Sequence, residues 1–197
     1  MNDRFEGKVA LVVGGANADD SRLLGFAGLA ALEIAKLGGK IIIGDIDDEA
    51  GERSVKRMKE AGLTADYMHL DVTSESDWIT AVEAATSMYG RLDILIMAAG
   101  TGDRDTSIEN TPVDTWRKVM DVTNLGMFLG TRSVVGAMRE NGGGSIVLIS
   151  SMMAKVVRES ANAYATSRAG MTHFARSAAV QYGADNIRIN TVLPGWA

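Results

Sequence analysis

No cysteine occurs among the 197 residues, and proline occurs only twice. The first absence excludes disulfides and cysteine-ligated zinc, and removes one reason to place the chain outside the cell. The second leaves little room for a linker or a Pro-rich disordered segment. Histidine is as scarce: His69 and His173 fall in separate predicted elements, so no metal site is expected. No run of like charges accompanies the net charge of −5, which argues against a nucleic-acid partner, since such a partner calls for clustered Lys and Arg. The longest apolar runs, such as Val9–Val13 and Ile41–Ile43, are far too short to span a bilayer, and Met1 to Lys8 has no signal-peptide core. The expected chain is soluble and cytoplasmic, with neither a membrane nor a nucleic acid as partner.

What is present is the balance of a globular protein, with 46% hydrophobic and 23% charged residues. The length favours a single domain over 1–197, and no composition shift marks a boundary within it. Short β-branched runs are expected as strands at Val9–Val13, Lys40–Gly44, Ala65–Leu70, Leu92–Met97, Ser145–Ser150 and Ile187–Val192. Each is nearly all apolar, which suits a parallel sheet buried on both faces. Between them, amphipathic stretches predict helices over Phe26–Leu37, Asp48–Ala61, Glu75–Tyr89, Thr115–Arg139 and Asn162–Tyr182. This alternation is the pattern of an α/β doubly wound, three-layer fold of the Rossmann type.

In such a sheet, ligands bind beyond the carboxyl ends of the strands, so polar residues there are read for function first. After the first strand, Gly14-Gly15-Ala16-Asn17 leads through Ala18–Leu24 to Gly25-Phe26-Ala27-Gly28, which opens a helix. Glycines at this place let backbone N–H groups approach a pyrophosphate, although glycines also end strands for structural reasons alone. Asp45 closes Ile41-Ile42-Ile43-Gly44, where a carboxylate can accept both hydroxyls of an adenosine ribose, or form a turn or cap the next helix. Asp71-Val72, after the third strand, either meets the adenine amino group or caps the helix that starts near Glu75.

These segments together make the chain resemble the short-chain dehydrogenase/reductase family over essentially its whole length. The resemblance rests on Lys8-Val9-Ala10-Leu11-Val12-Val13-Gly14-Gly15, Leu70-Asp71-Val72-Thr73, Leu92-Asp93-Ile94-Leu95, Gly144-Ser145-Ile146-Val147 and Asn190-Thr191-Val192-Leu193-Pro194-Gly195. It implies an oxidoreductase that interconverts an alcohol and a carbonyl by hydride transfer, with NAD(H) preferred to NADP(H). The implied cofactor contacts are Gly14, Asn17, Gly25, Phe26, Asp45, Asp71, Val72, Ala99, Gly100, Tyr164, Arg168, Pro194 and Gly195. The family's Ser and Tyr match Ser151 and Tyr164, thirteen residues apart. Its Lys and Asn positions hold Arg168 and Thr123, with Asn124 one residue late. A phenol titrates near pH ~10, and a fixed cation beside it favours the phenolate. Arg168 keeps that charge in a planar fork instead of an ammonium.

Other departures accompany these. The family's Asn-Asn-Ala-Gly reads Met97-Ala98-Ala99-Gly100, and the glycine turn carries about seven extra residues, with Ala27 at its third glycine. Asp19 and Asp20 would repel a pyrophosphate, so the insertion is expected to loop outward. Family members continue past Pro-Gly with a substrate loop, a helix and a seventh strand, so within 1–197 the resemblance implies a sheet without that strand. Substrate contacts are expected from Thr101 to Asp105, Met152, Met153, Arg158 and Trp196, with the loop charges Asp103, Arg104 and Asp105 expected in solvent. His173 is expected to pack or cap. Small residues on the two long helices, among them Ala169, Gly170, Ala175, Ala178 and Ala179, suggest a homodimer or homotetramer. Two alternatives remain on these residues: a cofactor-binding non-enzyme serving as a sensor or assembly subunit, and enoyl reduction, against which the Tyr164 spacing argues.

Overall fold

Successive residues of a strand point to opposite faces of its sheet, and this chain makes both faces apolar. In the computed structural model, which describes residues 3–16, 25–103 and 107–195, strands run over Val9–Val13 (β1), Lys40–Asp45 (β2), Ala65–His69 (β3), Ile94–Met97 (β4), Gly144–Ile149 (β5) and Ile187–Val192 (β6). Helices run over Phe26–Lys36 (α1), Asp48–Glu60 (α2), Glu75–Tyr89 (α3), Val113–Met120 (α4), Gly126–Glu140 (α5) and Asn162–Tyr182 (α6). All strand pairs are parallel, in the order β3-β2-β1-β4-β5-β6. This is the expected doubly wound sheet.

Alternate residues of the same strands build two cores. Val9, Leu11 and Val13 pack with Trp78 of α3, Met127 and Met138 of α5 and Met171 of α6. Ala10 and Val12 pack on the other face with Ala27 and Ala31 of α1 and Val55 and Met58 of α2. Each fully buried Val, Leu or Ile contributes roughly 1.5–3 kcal/mol. No helix among the described residues is long and apolar enough to cross a membrane.

Two expectations change. β6 is not apolar throughout: Ile187 and Ile189 are buried, whereas Arg188, Asn190 and Val192 are exposed, so one face of the strand is apolar and the other is not. The predicted helix Thr115–Arg139 is two helices joined by a π-turn, Asp121–Leu125. α4 packs on α6 and α5 packs on α3, and the widened turn rephases one against the other.

Candidate active site

The strand order reverses between β1 and β4, which opens a crevice beyond their carboxyl ends. Gly14 leaves β1 there at φ 78°, and a Cβ on it would lie 2.6 Å from the Ala99 nitrogen, so only glycine fits where the two loops touch. Ala16 N–H donates to Asp45 Oδ2 at 3.0 Å, and the Ala16 carbonyl accepts the Ser54 hydroxyl. Asp45 therefore anchors the glycine turn to β2 while lining a groove of about 490 Å³ with Gly14, Asp71, Val72, Ala99, Gly100 and Lys118. Asn17 lies outside the described residues. Gly25 is the N-cap of α1, with no side-chain cap among the described residues and no acid in the first turn, so this helix end suits an anion. Phe26 is exposed at that end.

Beyond β3, Asp71 does not cap α3. Its Oδ1 accepts both the N–H and the hydroxyl of Thr73, whereas Ser74 caps the helix by accepting from Asp77 N–H. The Tyr67 hydroxyl donates to Asp48 Oδ1 at 2.6 Å and also lies 2.8 Å from the Asp45 carbonyl oxygen, and His69 Nδ1 lies 2.8 Å from the same Asp48 oxygen. These bonds hold the Asp48 carboxyl below its ordinary value. Burial, then the bond to Asp48, pushes the Tyr67 phenol up, and the bond to Asp48 raises His69.

Ser151 and Tyr164 come together as their spacing suggested. They line one cavity of about 300 Å³ with Met152, Met153, Arg158, Ala161, Gly102, Asp103 and Gly195. Ser151 follows β5 and accepts Met153 N–H at 3.2 Å, and the Pro194 carbonyl accepts Met152 N–H at 2.9 Å. Tyr164 is the third residue of α6. Arg168, one turn on and buried, lies over the Tyr164 ring at 4.9 Å from its centroid and donates from Nη1 to the Ile149 carbonyl at 2.8 Å. A Cβ on Gly100 would collide with Arg168 Nη2. The guanidinium thus sits between the ring and the β4 loop, and its Nε is buried with no partner among the described residues.

The π-turn places Thr123 and Asn124 differently. Thr123 is fully buried and its hydroxyl has no partner among the described residues. Asn124 Nδ2 instead reaches the Ser167 carbonyl at 3.1 Å, beside Arg168. The π-turn thus directs the Asn124 side chain toward α6.

Three expectations are corrected. Asp103 is not solvated: it is 2% exposed, and its carboxylate accepts two backbone N–H groups of α6. Ala161, the N-cap of α6, has no side-chain acceptor, and Asp103 takes that place. Ala175 and Ala178 face the chain's own core, so they offer nothing to a partner, while Ala169 and Gly170 are exposed. His173 is exposed rather than packed. Arg104, Asp105, Trp196 and the insertion at Asp19 and Asp20 lie outside the described residues.

A family model described as enoyl-(acyl carrier protein) reductase matches residues 23–197. The chain is 36% identical over 195 residues to a 3-alpha-(or 20-beta)-hydroxysteroid dehydrogenase of Mycobacterium tuberculosis, covering 99% of this chain and 71% of that protein. It is 37% identical over 192 residues to a mitochondrial borneol dehydrogenase of Lavandula x intermedia, covering 97% and 70%. Among solved structures, a 7 alpha-hydroxysteroid dehydrogenase complexed with NADH and 7-oxo glycochenodeoxycholic acid superposes with a TM-score of 0.90 at 29% identity, covering 98% of this chain and 72% of that one.

Proposed function

Because the chain belongs to the short-chain dehydrogenase/reductase family and is an oxidoreductase of that class, we propose that it oxidises a secondary alcohol on an alicyclic ring, using NAD+. The observation that carries this reading is the shared cavity of Ser151 and Tyr164, walled by Met152 and Met153, at the carboxyl end of the sheet. The compounds in the relatives' names, hydroxysteroids and borneol, are alcohols of this type. Methionines suit such a substrate because their flexible thioethers adapt to a rigid apolar body. The thirteen-residue Ser151–Tyr164 spacing and these relatives favour alcohol chemistry over enoyl reduction.

The crevice fits a dinucleotide. Gly14 lines the groove where the β1 and β4 loops touch, the first turn of α1 carries no acid to repel a pyrophosphate, and Asp45 offers a carboxylate to ribose hydroxyls. Gly25, Phe26, Asp71, Val72, Ala99, Gly100, Pro194 and Gly195 would complete its surroundings. When bound, the nicotinamide supplies the hydride acceptor. The chain's own work is at the oxygen: Ser151 donates a hydrogen bond to the alcohol oxygen, and Tyr164, as the phenolate, takes its proton and becomes the phenol. Arg168 keeps a permanent positive charge beside that ring. The direct test is NADH formation from a panel of ring alcohols, and silence across the panel would count against the reading.

Cofactor choice follows from Asp45, whose charge repels a ribose 2′-phosphate. Asp45→Asn keeps an acceptor for Ala16 N–H and removes the charge. Calorimetric titration is expected to show NADP(H) tightening about tenfold, with NAD(H) weakened less. Failure of NADP(H) to gain would remove Asp45 as the discriminator.

We also assign a homodimer or homotetramer, supported by the exposed apolar side chains Trp116 on α4, Leu125 on the π-turn, Phe128 on α5 and Val180 on α6. Light scattering at micromolar concentration is expected to give at least twice the 20.9 kDa chain mass, and a monomeric mass would refute the assembly.

A further inference from the structure

Helix α6 carries Tyr164 in its first turn, yet it has no cap of its own. Its N-cap residue, Ala161, has φ 64° and ψ 45° and no side-chain acceptor. The donors that a cap normally satisfies are the N–H groups of the second and third helical residues, here Ala163 and Tyr164. Both are satisfied from far away. Asp103, on the loop after β4, accepts Ala163 N–H on Oδ2 at 2.9 Å and Tyr164 N–H on Oδ1 at 3.0 Å. A buried carboxylate with both oxygens spent on the amino end of a helix is favoured by the helix dipole as well as by the bonds themselves.

The same loop touches the catalytic side chains at two more points. A Cβ on Gly102 would lie 3.6 Å from Tyr164 Cδ2, an ordinary contact, so this backbone lies beside the ring. Gly100 leaves the space that Arg168 Nη2 occupies. One short segment, residues 100–103, therefore borders Arg168, borders the Tyr164 ring and holds the Tyr164 backbone.

We propose that Asp103 is a positioning residue of the reaction: by capping α6 from the β4 loop, its carboxylate holds Tyr164 in place in the cavity. This rests on Tyr164 as the acid/base of the proposed function. Asp103 takes no part in proton transfer, and its effect passes through the first turn of α6.

Asp103→Ala is expected to lower kcat by about tenfold to a hundredfold, the usual effect of misplacing a reacting group by about an ångström. KM for the alcohol and Kd for NADH should stay within about threefold of the parent. Asp103→Asn keeps one acceptor and should fall between the two. Amide exchange at Ala163 and Tyr164 reads the cap without turnover, and should quicken at least tenfold in Asp103→Ala. Unchanged exchange overturns the proposal, as does unchanged kcat. A rise in alcohol KM at constant kcat makes Asp103 a substrate contact instead, and loss of NADH binding in step with kcat makes it a residue of the fold alone; both overturn the proposal. A parent chain without turnover defeats the oxidoreductase reading, while the exchange measurement still decides the cap.

Discussion

Tyr164→Phe is expected to lower NADH formation by a factor on the order of 10³ and to leave NADH affinity within about threefold of the parent. The substitution isolates one atom. The ring lies under the Arg168 guanidinium, and a phenyl ring keeps that cation–π contact and the packing against residues 100–103. The Tyr164 N–H still donates to Asp103, because that bond belongs to the backbone. Only the hydroxyl is lost, so the fold and the groove at Asp45 should be unaffected. Turnover followed at the NADH absorbance band, together with fluorescence titration of NADH, separates the two quantities. Equal rates in both proteins across a panel of ring alcohols would remove Tyr164 from proton transfer.

The second large effect is expected in the opposite direction. Arg168→Lys should raise kcat about tenfold. The guanidinium is held by contacts unrelated to the phenol oxygen: Nη1 is spent on the Ile149 carbonyl, the plane lies on the ring, and Nη2 fills the space left at Gly100. Its buried Nε has no partner among the described residues, and an unsatisfied buried donor costs about 1–3 kcal/mol. An ammonium has three rotatable donors and no fixed fork, so it can approach the Tyr164 oxygen. Gly100→Ala supplies the control. In the parent it should overpack the site by about 1–3 kcal/mol, a fall in Tm of roughly 2–10 °C for a chain of this size. In the Arg168→Lys background the loss should be smaller, because residues in contact are not additive. A slower Arg168→Lys, or equal Gly100→Ala losses in the two backgrounds, would show that the fork is no obstacle.

Much of the fold was legible because its signals are local. The runs Val9–Val13 and Ile187–Val192 and the helices Glu75–Tyr89 and Asn162–Tyr182 have the bounds that the apolar pattern predicts. Such periodicity records which side chains need burial, whatever the rest of the chain does. The π-turn was not legible in that pattern, since one extra residue per turn leaves the composition of the helix unchanged. The one-sided burial of β6, by contrast, follows the alternation Ile187-Arg188-Ile189-Asn190, which a search for uniformly apolar runs passes over.

The site divides in the same way. Sequence alone put Ser151 after the fifth strand and Tyr164 in the first turn of the next helix, consecutive elements at one end of the sheet, and both line one cavity. It also determined that Arg168 lies one helical turn beyond Tyr164. Tertiary structure decided everything that depends on which loops meet where the strand order reverses. Asp45 reaches the glycine turn 29 residues away, and Asp103 reaches the Tyr164 N–H 61 residues away. Whether a carboxylate on a loop is solvated or caps a helix depends on the backbone amides brought to it. Those amides arrive only when β4, β5 and α6 have packed, so no spacing within either segment records the bond.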